Sequence, residues 1–254
     1  MNSIGNILMD MKNALKLNGV LQEEPQPTES CPICHDTGTV FYTEDGIVKA
    51  KECPVCMTKI KSNRWMKKSG IPESEYQRYT LESFKEDTPT AAKMKKMAMD
   101  FLQDSYATGI AFLGKSGNGK THICTGICQK LNKEHYYWQY RSKIQEIKNV
   151  MYNDSPKYEM LINQAKNVPC LYIDDFFKGA VMPNGMLSQQ DLQVMFDIID
   201  ARYINRRVTI ISSEYTVQDL IRLDEATAGR IIEMASPYVC NINGENRRLH
   251  NFIS

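Results

Sequence analysis

The chain has 254 residues, and its 31 Lys and Arg against 30 Asp and Glu give a formal net charge of +1. This balance excludes the overall basic field that typifies non-specific nucleic-acid binders. A hydrophobic content of 42% is that of a globular protein, and the length accommodates one medium domain and a smaller one. We identify no signal peptide and no apolar run of about 18 residues, so we expect a cytoplasmic protein with no membrane partner.

The first thirty residues combine an amphipathic pattern with a polar stretch. Apolar residues at spacings of three and four over residues 2–18 predict a helix. Its apolar face either packs on the module that follows or docks into the groove of a partner. Residues 22–30 are polar with two prolines, which predicts a linker.

Two C-x₂-C pairs are separated by eighteen residues, and their members are Cys31, Cys34, Cys53 and Cys56. Four thiolates at this spacing can surround a tetrahedral Zn²⁺, and no position is left for water, so we expect a structural zinc site. Asp45–Gly46, between two short apolar runs, predicts a hairpin between the pairs. Two redox pairs or an iron–sulfur cluster are the alternatives, and His35 is an alternative ligand.

A basic segment follows the cysteines. Apolar residues alternate there with five basic ones, which are Lys59, Lys61, Arg64, Lys67 and Lys68, and residues 57–68 contain no acid. This pattern indicates either a solvated helix face or a surface for nucleic-acid phosphate or an acidic partner. Because Gly70 suits the end of such a helix, we place the end of the first domain, residues 1–68, here.

A connector over residues 69–90 precedes the larger domain, residues 91–254. Its aromatic residues Tyr76, Tyr79 and Phe84 are expected to pack on that domain. Thr88 is suited to cap a helix whose first position is Pro89, and we expect this helix to reach about Tyr106.

The sequence GKSGNGKT fits the pattern G-x-x-x-x-G-K-[ST] at every fixed position. Its residues are Gly114, Lys115, Ser116, Gly117, Asn118, Gly119, Lys120 and Thr121. An apolar run precedes it and a helical segment follows it, which is the context that a phosphate-binding loop requires. The glycines allow backbone N–H groups to converge on phosphate oxygens. Lys120 is expected to reach the β- and γ-phosphates of a nucleotide, and Thr121 to hold Mg²⁺.

A second apolar run, residues 170–175, ends in two acids. Asp174 is expected to bind Mg²⁺ directly or through water, and Asp175 to orient or deprotonate an attacking water. Acids at the end of a strand are also common without such a function.

Strands alternate with helices from residue 110 to residue 242. Further strands are expected at 136–141, 208–212 and 238–242, and capping boxes at Ser188 and Thr216 predict the starts of helices. The alternation predicts an α/β fold with a parallel sheet covered by helices on both faces. Four more cysteines are expected as core residues, with a metal on the first two as the alternative: Cys124, Cys128, Cys170 and Cys240.

The chain resembles the AAA+ ATPases of the replicative helicase-loader group, the DnaC/DnaI type. Phages encode many members of this group. The motifs that carry the resemblance are GKSGNGKT, LYIDDFF, TIISSEYT and the Arg-bearing AGRIIEM. The connector GIPESEYQRYTLESF and the four-cysteine module resemble parts of some loaders as well. The resemblance extends over residues 31–254. It implies an AAA+ P-loop ATPase core with a five-stranded parallel sheet and a small N-terminal zinc domain.

The resemblance also implies the chemistry of the site. The cofactors would be ATP, Mg²⁺ and Zn²⁺, with Lys120, Asp174 and Asp175 acting in hydrolysis. Arg230 would act in trans on the γ-phosphate of a neighbouring subunit, so hydrolysis by one subunit alone would be slow. The alternative is that Arg230 forms a surface salt bridge. The group usually has Asn after the sensor strand, whereas this chain has Ser213–Glu214, which would repel a triphosphate unless Glu214 faces a cation.

The implied function is ATP-dependent loading of a hexameric replicative helicase onto single-stranded DNA during replication initiation, with the zinc domain gripping the helicase. The alternative is a transposition-helper ATPase of insertion elements, which binds duplex DNA and a transposase. A zinc adaptor without enzymatic activity is disfavoured by the intact Lys120, Thr121 and paired acids. A small-molecule kinase would need a substrate pocket and lid that the sequence does not indicate.

Overall fold

The computed structural model describes residues 31–35, 37–243 and 246. The expected helix over residues 2–18 and the linker over residues 22–30 lie outside the described residues. The chain divides into two compact units, Met1–Lys59 and Ile60–Ser254. Within the described part of the chain, no helix is long and apolar enough to cross a membrane.

The first unit contains the predicted hairpin. Its antiparallel strands are β1 (Thr39–Glu44) and β2 (Ile47–Glu52). Asp45 and Gly46 join them with φ values of 53° and 76°, the conformation of the two-residue turns that favour Asp-Gly. Both strands are largely exposed, and among the described residues of this unit the buried side chains are those of Cys31, Cys34 and Cys53. The hairpin therefore has almost no apolar core apart from the cysteine cluster.

Helix α1 (Pro54–Ser69) follows the second cysteine pair and ends at Gly70, whose φ is 82°. The boundary between the two units falls inside this helix, and the boundary expected at residue 68 stays a prediction. Arg64, Lys67 and Lys68 are exposed, while the side chains of Lys59 and Lys61 lie outside the described part of the structure.

After α1, the second unit continues with α2 (Glu73–Arg78) and α3 (Pro89–Gln103). Thr88 caps α3 as predicted, because its side chain accepts a hydrogen bond from the Ala91 N–H at 3.1 Å and Pro89 takes the first helical position. The helix ends at Gln103 rather than near Tyr106. There the Asp104 carboxylate accepts a hydrogen bond from the Tyr106 N–H at 2.9 Å and turns the chain.

The core of this unit is a five-stranded parallel sheet, which confirms the predicted fold class. Its strands are β3 (Gly109–Gly114), β4 (His135–Gln139), β5 (Cys170–Asp174), β6 (Val208–Ser213) and β7 (Val239–Ile242). Their order across the sheet is β4-β5-β6-β3-β7. Because all strands are parallel, the carboxyl ends of β3, β6 and β5 lie side by side at one edge.

Helices cover both faces of the sheet. They are α4 (Lys120–Lys130), α5 (Tyr140–Val150), α6 (Ser155–Asn167), α7 (Gln189–Ile204), α8 (Val217–Leu223) and α9 (Glu225–Ala235). One face packs with α5, α6, α7 and α9, and the other with α3 and α4. Alternate residues of a strand face opposite sides, as Phe112 and Leu113 of β3 do. The cysteines expected in the core are buried in the second cluster.

Strand β4 is shorter than predicted, because Tyr140 and Arg141 begin α5 instead of ending the strand. Tyr140 is buried, its hydroxyl donates to the Asp191 carboxylate at 2.6 Å, and its ring packs edge-on against Phe176 and Phe177. This tertiary packing outweighs the local strand propensity of the aromatic run.

The two predicted capping boxes differ in detail. At α8, Thr216 and Asp219 form the full reciprocal pair. At α7, Ser188 accepts a hydrogen bond from the Asp191 N–H at 3.1 Å, but the Asp191 carboxylate binds Tyr140 and Lys148. Asp191 therefore links α7 to α5, a function that the capping pattern does not reveal.

Candidate functional site

The loop Gly114–Thr121 joins β3 to α4 at the carboxyl edge of the sheet. Gly114, Gly117 and Gly119 have φ values of 119°, 78° and 83°, a region that residues with side chains rarely adopt. At Gly114 a side chain would also overlap the carbonyl oxygen of Ile242. The glycine positions of the motif therefore match what the backbone requires.

Lys120 is buried, and its ammonium donates to the Gly114 carbonyl at 2.7 Å and the Lys115 carbonyl at 2.8 Å. Burial lowers the pKa of Lys120, while the charges of Glu214 and Asp175 oppose that shift. The ammonium is thus held inside the loop by two neutral carbonyl groups. A phosphate oxygen is charged and is therefore a stronger acceptor than either of them.

Asp174, at the end of β5, is the centre of a hydroxyl cluster. Its carboxylate accepts hydrogen bonds from Tyr172 at 2.6 Å, Tyr137 at 3.0 Å and Thr121 at 3.3 Å. The Ser212 hydroxyl donates to it as well. The structure thus brings Thr121 and Asp174 together, and a hydroxyl beside a carboxylate is a donor set that suits Mg²⁺.

Asp175 leaves the strand with a φ of 54°, and its N–H donates to the Ser212 hydroxyl at 3.2 Å. Its carboxylate pairs with the Lys178 ammonium at 3.0 Å, and Lys178 also pairs with Glu214 at 2.9 Å. Glu214 therefore faces a cation, which is the condition for tolerating it beside a triphosphate. The sequence reasoning missed Lys178, and its only local signal is a lysine three residues after Asp175.

A cavity of about 450 Å³ lies over this edge of the sheet and is lined by Lys120, Thr121, Asp175, Lys178 and Glu214. It is large enough for a nucleotide.

Tyr79 and Phe84 of the connector also line this cavity. The ring of His122, the residue after the motif, stacks on Tyr79 with centroids 4.9 Å apart and lies edge-on to Phe84. His122 Nε2 is 2.9 Å from the Thr80 carbonyl oxygen and 3.0 Å from Ser83 Oγ. The connector aromatics pack on the larger domain, as predicted, and they also shape the cavity.

Arg230 is not among the residues that line this cavity. Its Nε donates to the Asp200 carboxylate at 2.6 Å, and its guanidinium lies 4.5 Å from the centre of the Phe196 ring. Both partners belong to α7, so within one subunit Arg230 ties α9 to α7. Its expected action in trans stays a prediction.

The four cysteine sulfurs of the first unit lie within 4.8 Å of one another. Cys31 Sγ is 3.8 Å from Cys53 Sγ, and Cys34 Sγ is 3.1 Å from Cys56 Sγ. Zn–S bonds of about 2.3 Å in a tetrahedron place sulfurs about 3.8 Å apart, so the cluster fits Zn²⁺ with small adjustments.

Backbone N–H groups of Cys34 and Ile33 lower the pKa of the Cys31 thiol to about 6, whereas hydrogen bonds with Cys34 and Cys31 raise the pKa of the Cys56 thiol. The cluster therefore stabilises a thiolate at Cys31, the form that a metal requires. Within the part of the chain that the structure describes, no other group of His, Cys, Asp or Glu forms such a cluster. Cys124 and Cys128 consequently lack further ligands, and burial raises the pKa of both thiols.

No protein-family model matches the chain. The phage-like element PBSX protein XkdC of Bacillus subtilis (strain 168) is 30% identical over 249 residues, which cover 91% of each chain. The chain belongs to the XkdC family.

Solved structures similar to this XkdC-family chain include the DnaC helicase loader, with a TM-score of 0.56 and 21% identity over 66% of this chain and 98% of DnaC. The replication initiator DnaA bound to AMPPCP and single-stranded DNA has a TM-score of 0.52 and 20% identity over 66% of this chain and 51% of DnaA. The larger unit therefore has the AAA+ P-loop fold that the helicase-loader resemblance implied.

Proposed function

We propose that this protein is an ATPase that loads a hexameric replicative helicase onto single-stranded DNA. The observation that carries the proposal is the meeting of Lys120, Thr121 and Asp174 at one edge of an AAA+ sheet. The likeness to the DnaC helicase loader, which extends over nearly all of that chain, supports the choice of function. The same core in DnaA bound to AMPPCP and single-stranded DNA supports nucleotide and DNA as ligands.

The geometry suggests how the chain's own residues would act. Backbone N–H groups of Gly117 and Gly119 would bind phosphate oxygens, and Lys120 would exchange its two carbonyl acceptors for the β- and γ-phosphates. Thr121 and Asp174 would hold Mg²⁺, which neutralises charge on the phosphate oxygens. Asp175 would orient the attacking water.

A neighbouring subunit would complete the reaction. Arg230 of that neighbour would offset the charge that develops on the γ-phosphate, and an isolated subunit would hydrolyse ATP slowly. This requires Arg230 to exchange Asp200 for a phosphate of the next subunit.

The first unit would supply the contact with the helicase. Cys31, Cys34, Cys53 and Cys56 would hold a structural Zn²⁺ and thereby fix the hairpin. The exposed basic residues Arg64, Lys67 and Lys68 of α1 are suited to DNA phosphate or to an acidic partner surface.

The test is to mix the purified protein with the replicative helicase of its host and to measure the mass of the complex with and without ATP. Helicase retained on circular single-stranded DNA is measured in the same samples. We expect a defined complex and ATP-dependent retention. Lys120→Met should abolish the retention, whereas Lys130→Met, at an exposed lysine of the same helix, should not.

A Cys53→Ser variant tests the zinc unit. It should lose zinc by elemental analysis and lose the helicase complex while still binding ATP, because the nucleotide site lies in the other unit. No complex at micromolar concentrations, together with tight binding of duplex DNA, would refute loading and favour the transposition-helper alternative.

A further inference from the structure

Lys178 is held firmly at the carboxyl edge of the sheet. Its N–H donates to the Asp175 carbonyl at 2.9 Å, so a tight turn carries it back over the end of β5. The two residues inside this turn, Phe176 and Phe177, are buried, and their rings stack with centroids 3.9 Å apart. The aromatic anchor fixes the backbone from which Lys178 extends, so its position does not depend on a loose surface loop.

The Lys178 ammonium bridges carboxylates that follow two neighbouring strands. It lies 3.0 Å from Asp175, after β5, and 2.9 Å from Glu214, after β6. An ammonium has three N–H donors, and among the described residues Asp175 and Glu214 use two of them. Its side chain is 45% exposed and lines the same cavity as Lys120 and Thr121. One donor is therefore left for a group that enters the cavity.

The charges around the cavity indicate which chemical group would accept the third donor of Lys178. Asp175 and Glu214 bring two negative charges to the place where a terminal phosphate would lie, and Lys178 is the cation that contacts both. Partial burial lowers the pKa of Lys178, but hydrogen bonds to Glu214 and Asp175 outweigh it and raise the pKa above the usual value. Lys178 is therefore charged at neutral pH, and a further anionic oxygen is the acceptor that suits its third donor.

We propose that Lys178 binds the γ-phosphate of ATP in the same subunit and that Glu214 is the positioning residue that holds its ammonium there. The inference rests on the proposed ATPase function and deepens it by naming the residues that distinguish ATP from ADP. Because ADP has no γ-phosphate, the contact stabilises ATP alone. Glu214 follows the strand after which the loader group usually has Asn, so Lys178, held by Glu214, would replace that polar sensor residue.

The same geometry relates Lys178 to the water-orienting acid. The Asp175 carboxylate accepts a hydrogen bond from the Lys178 ammonium at 3.0 Å. The γ-phosphate would accept the third N–H donor and compete with Asp175 for the positive charge. This would weaken the Lys178–Asp175 hydrogen bond, so that the Asp175 carboxylate can accept a hydrogen bond from water. Binding of the correct nucleotide would in this way free the acid that hydrolysis requires.

The test compares the equilibrium affinities of the full chain for Mg²⁺-AMPPCP and for Mg²⁺-ADP by calorimetry. Lys178→Met should weaken AMPPCP binding about 10- to 100-fold, the range expected for a hydrogen bond between charged groups, and ADP binding less than about threefold. Lys178→Arg should restore most of the preference, and Glu214→Gln should lower it partly. Lys143→Met is the matched control, because Lys143 pairs with Glu146 at 2.9 Å outside the cavity.

Several results would overturn the inference. If Lys178→Met weakens both nucleotides equally, or neither of them, Lys178 does not recognise the γ-phosphate. Thermal unfolding without nucleotide identifies a variant that fails to fold. In that event Glu214→Gln carries the test, and an unchanged ratio of the two affinities contradicts the inference.

The design separates this inference from the function on which it rests. A wild-type chain that binds neither nucleotide, or whose affinity is unaffected by Lys120→Met, refutes the proposed ATPase function. Binding that depends on Lys120 but not on Lys178 refutes the inference alone.

Discussion

Four hydroxyl groups from four separate elements converge on the carboxylate of Asp174. Thr121 comes from α4, Tyr137 from β4, Tyr172 from β5 and Ser212 from β6. The carboxylate is buried beside the Lys120 loop, so these hydroxyls replace the water that would otherwise solvate its charge. One residue thereby fixes the relative positions of three strands and the phosphate-binding loop.

This arrangement predicts an order of stability among variants of Asp174. Asp174→Ala leaves the buried Tyr172 and Ser212 hydroxyls without their acceptor, whereas Asp174→Asn keeps one carbonyl oxygen for them. The alanine variant should be less stable than the asparagine variant by about 1–3 kcal/mol, the cost of an unsatisfied buried polar group. Urea unfolding followed by circular dichroism measures the difference in the free energy of unfolding. Equal stability of the two variants would show that the hydroxyls find other acceptors.

The contrast between Asp174 and its partners shows what the sequence can predict at the scale of residues. Lys120, Thr121 and Asp174 are recognisable because each belongs to a motif with fixed local spacing. Tyr137, Ser212 and Lys178 are not recognisable, because their contacts depend on the order of strands in the sheet. The alternation of helices and strands predicts a parallel sheet, but it does not reveal that β6 lies between β3 and β5.

At the scale of elements, a buried arginine joins helix α6 to strand β6. Arg202 of α7 is fully buried and donates to the Ala165 carbonyl at 2.8 Å, the Val168 carbonyl at 3.0 Å and the Thr209 hydroxyl at 2.9 Å. Burial lowers its pKa to about 10. Carbonyl groups at the end of a helix carry partial negative charge and are left without helical partners, so the guanidinium acts as a cap for α6.

We predict that Arg202→Met destabilises the protein by about 1–3 kcal/mol for each buried carbonyl group that loses its donor. The removed guanidinium leaves several carbonyl groups buried without donors. Arg202→Lys should recover only part of the loss, since one ammonium cannot reach all of these acceptors. Arg222→Met, at an arginine that is 80% exposed, is the control and should change stability little. A small effect of Arg202→Met on the urea midpoint would contradict the capping function.

Helix starts illustrate both the success and the limit of local signals. Thr88 and Thr216 cap the helices that their neighbouring residues predict, because a cap is a contact within a few residues. The prediction of a strand at Tyr140 is wrong. The helix starts there because Tyr140 packs against Phe176 and Phe177, which lie far along the chain. Tertiary contacts of this kind leave no mark within a local window.

At the scale of the whole molecule, the two units have separate hydrophobic cores of very different extent. The larger unit buries residues on both faces of its sheet, whereas the hairpin unit exposes most of both strands, including Phe41 and Val48. The described hairpin buries few apolar side chains and needs another source of stability, which four sulfurs within 4.8 Å of one another can supply by holding a metal. The cysteine spacing alone predicted the cluster, because metal ligands need fixed positions along the chain. The basic residues of α1 predicted no single function, because the same pattern fits a solvated helix face or a binding surface.

Arg230 provides a test of whether subunits act on one another's nucleotide sites. Within one subunit it pairs with Asp200 and packs on Phe196, and a partly exposed pair of this kind contributes about 1 kcal/mol or less. If these contacts are its whole function, Arg230→Ala should reduce stability at least as much as Asp200→Ala, because it also loses the Phe196 contact, and both variants should keep their ATPase activity. If Arg230 acts on a neighbour, Arg230→Ala should lower the rate about 10³-fold, while Asp200→Ala should not.

Mixing two inactive variants distinguishes these outcomes directly. Lys120→Met subunits lack a working nucleotide site but retain Arg230, and Arg230→Ala subunits retain the site but lack the arginine. We predict that each variant alone is nearly inactive and that the mixture regains ATPase activity, because an intact arginine then faces an intact loop across the interface. The recovered rate should rise with protein concentration, since it depends on association. Activity that stays absent in the mixture, or that Arg230→Ala alone retains at every concentration, would assign Arg230 to the link between α7 and α9.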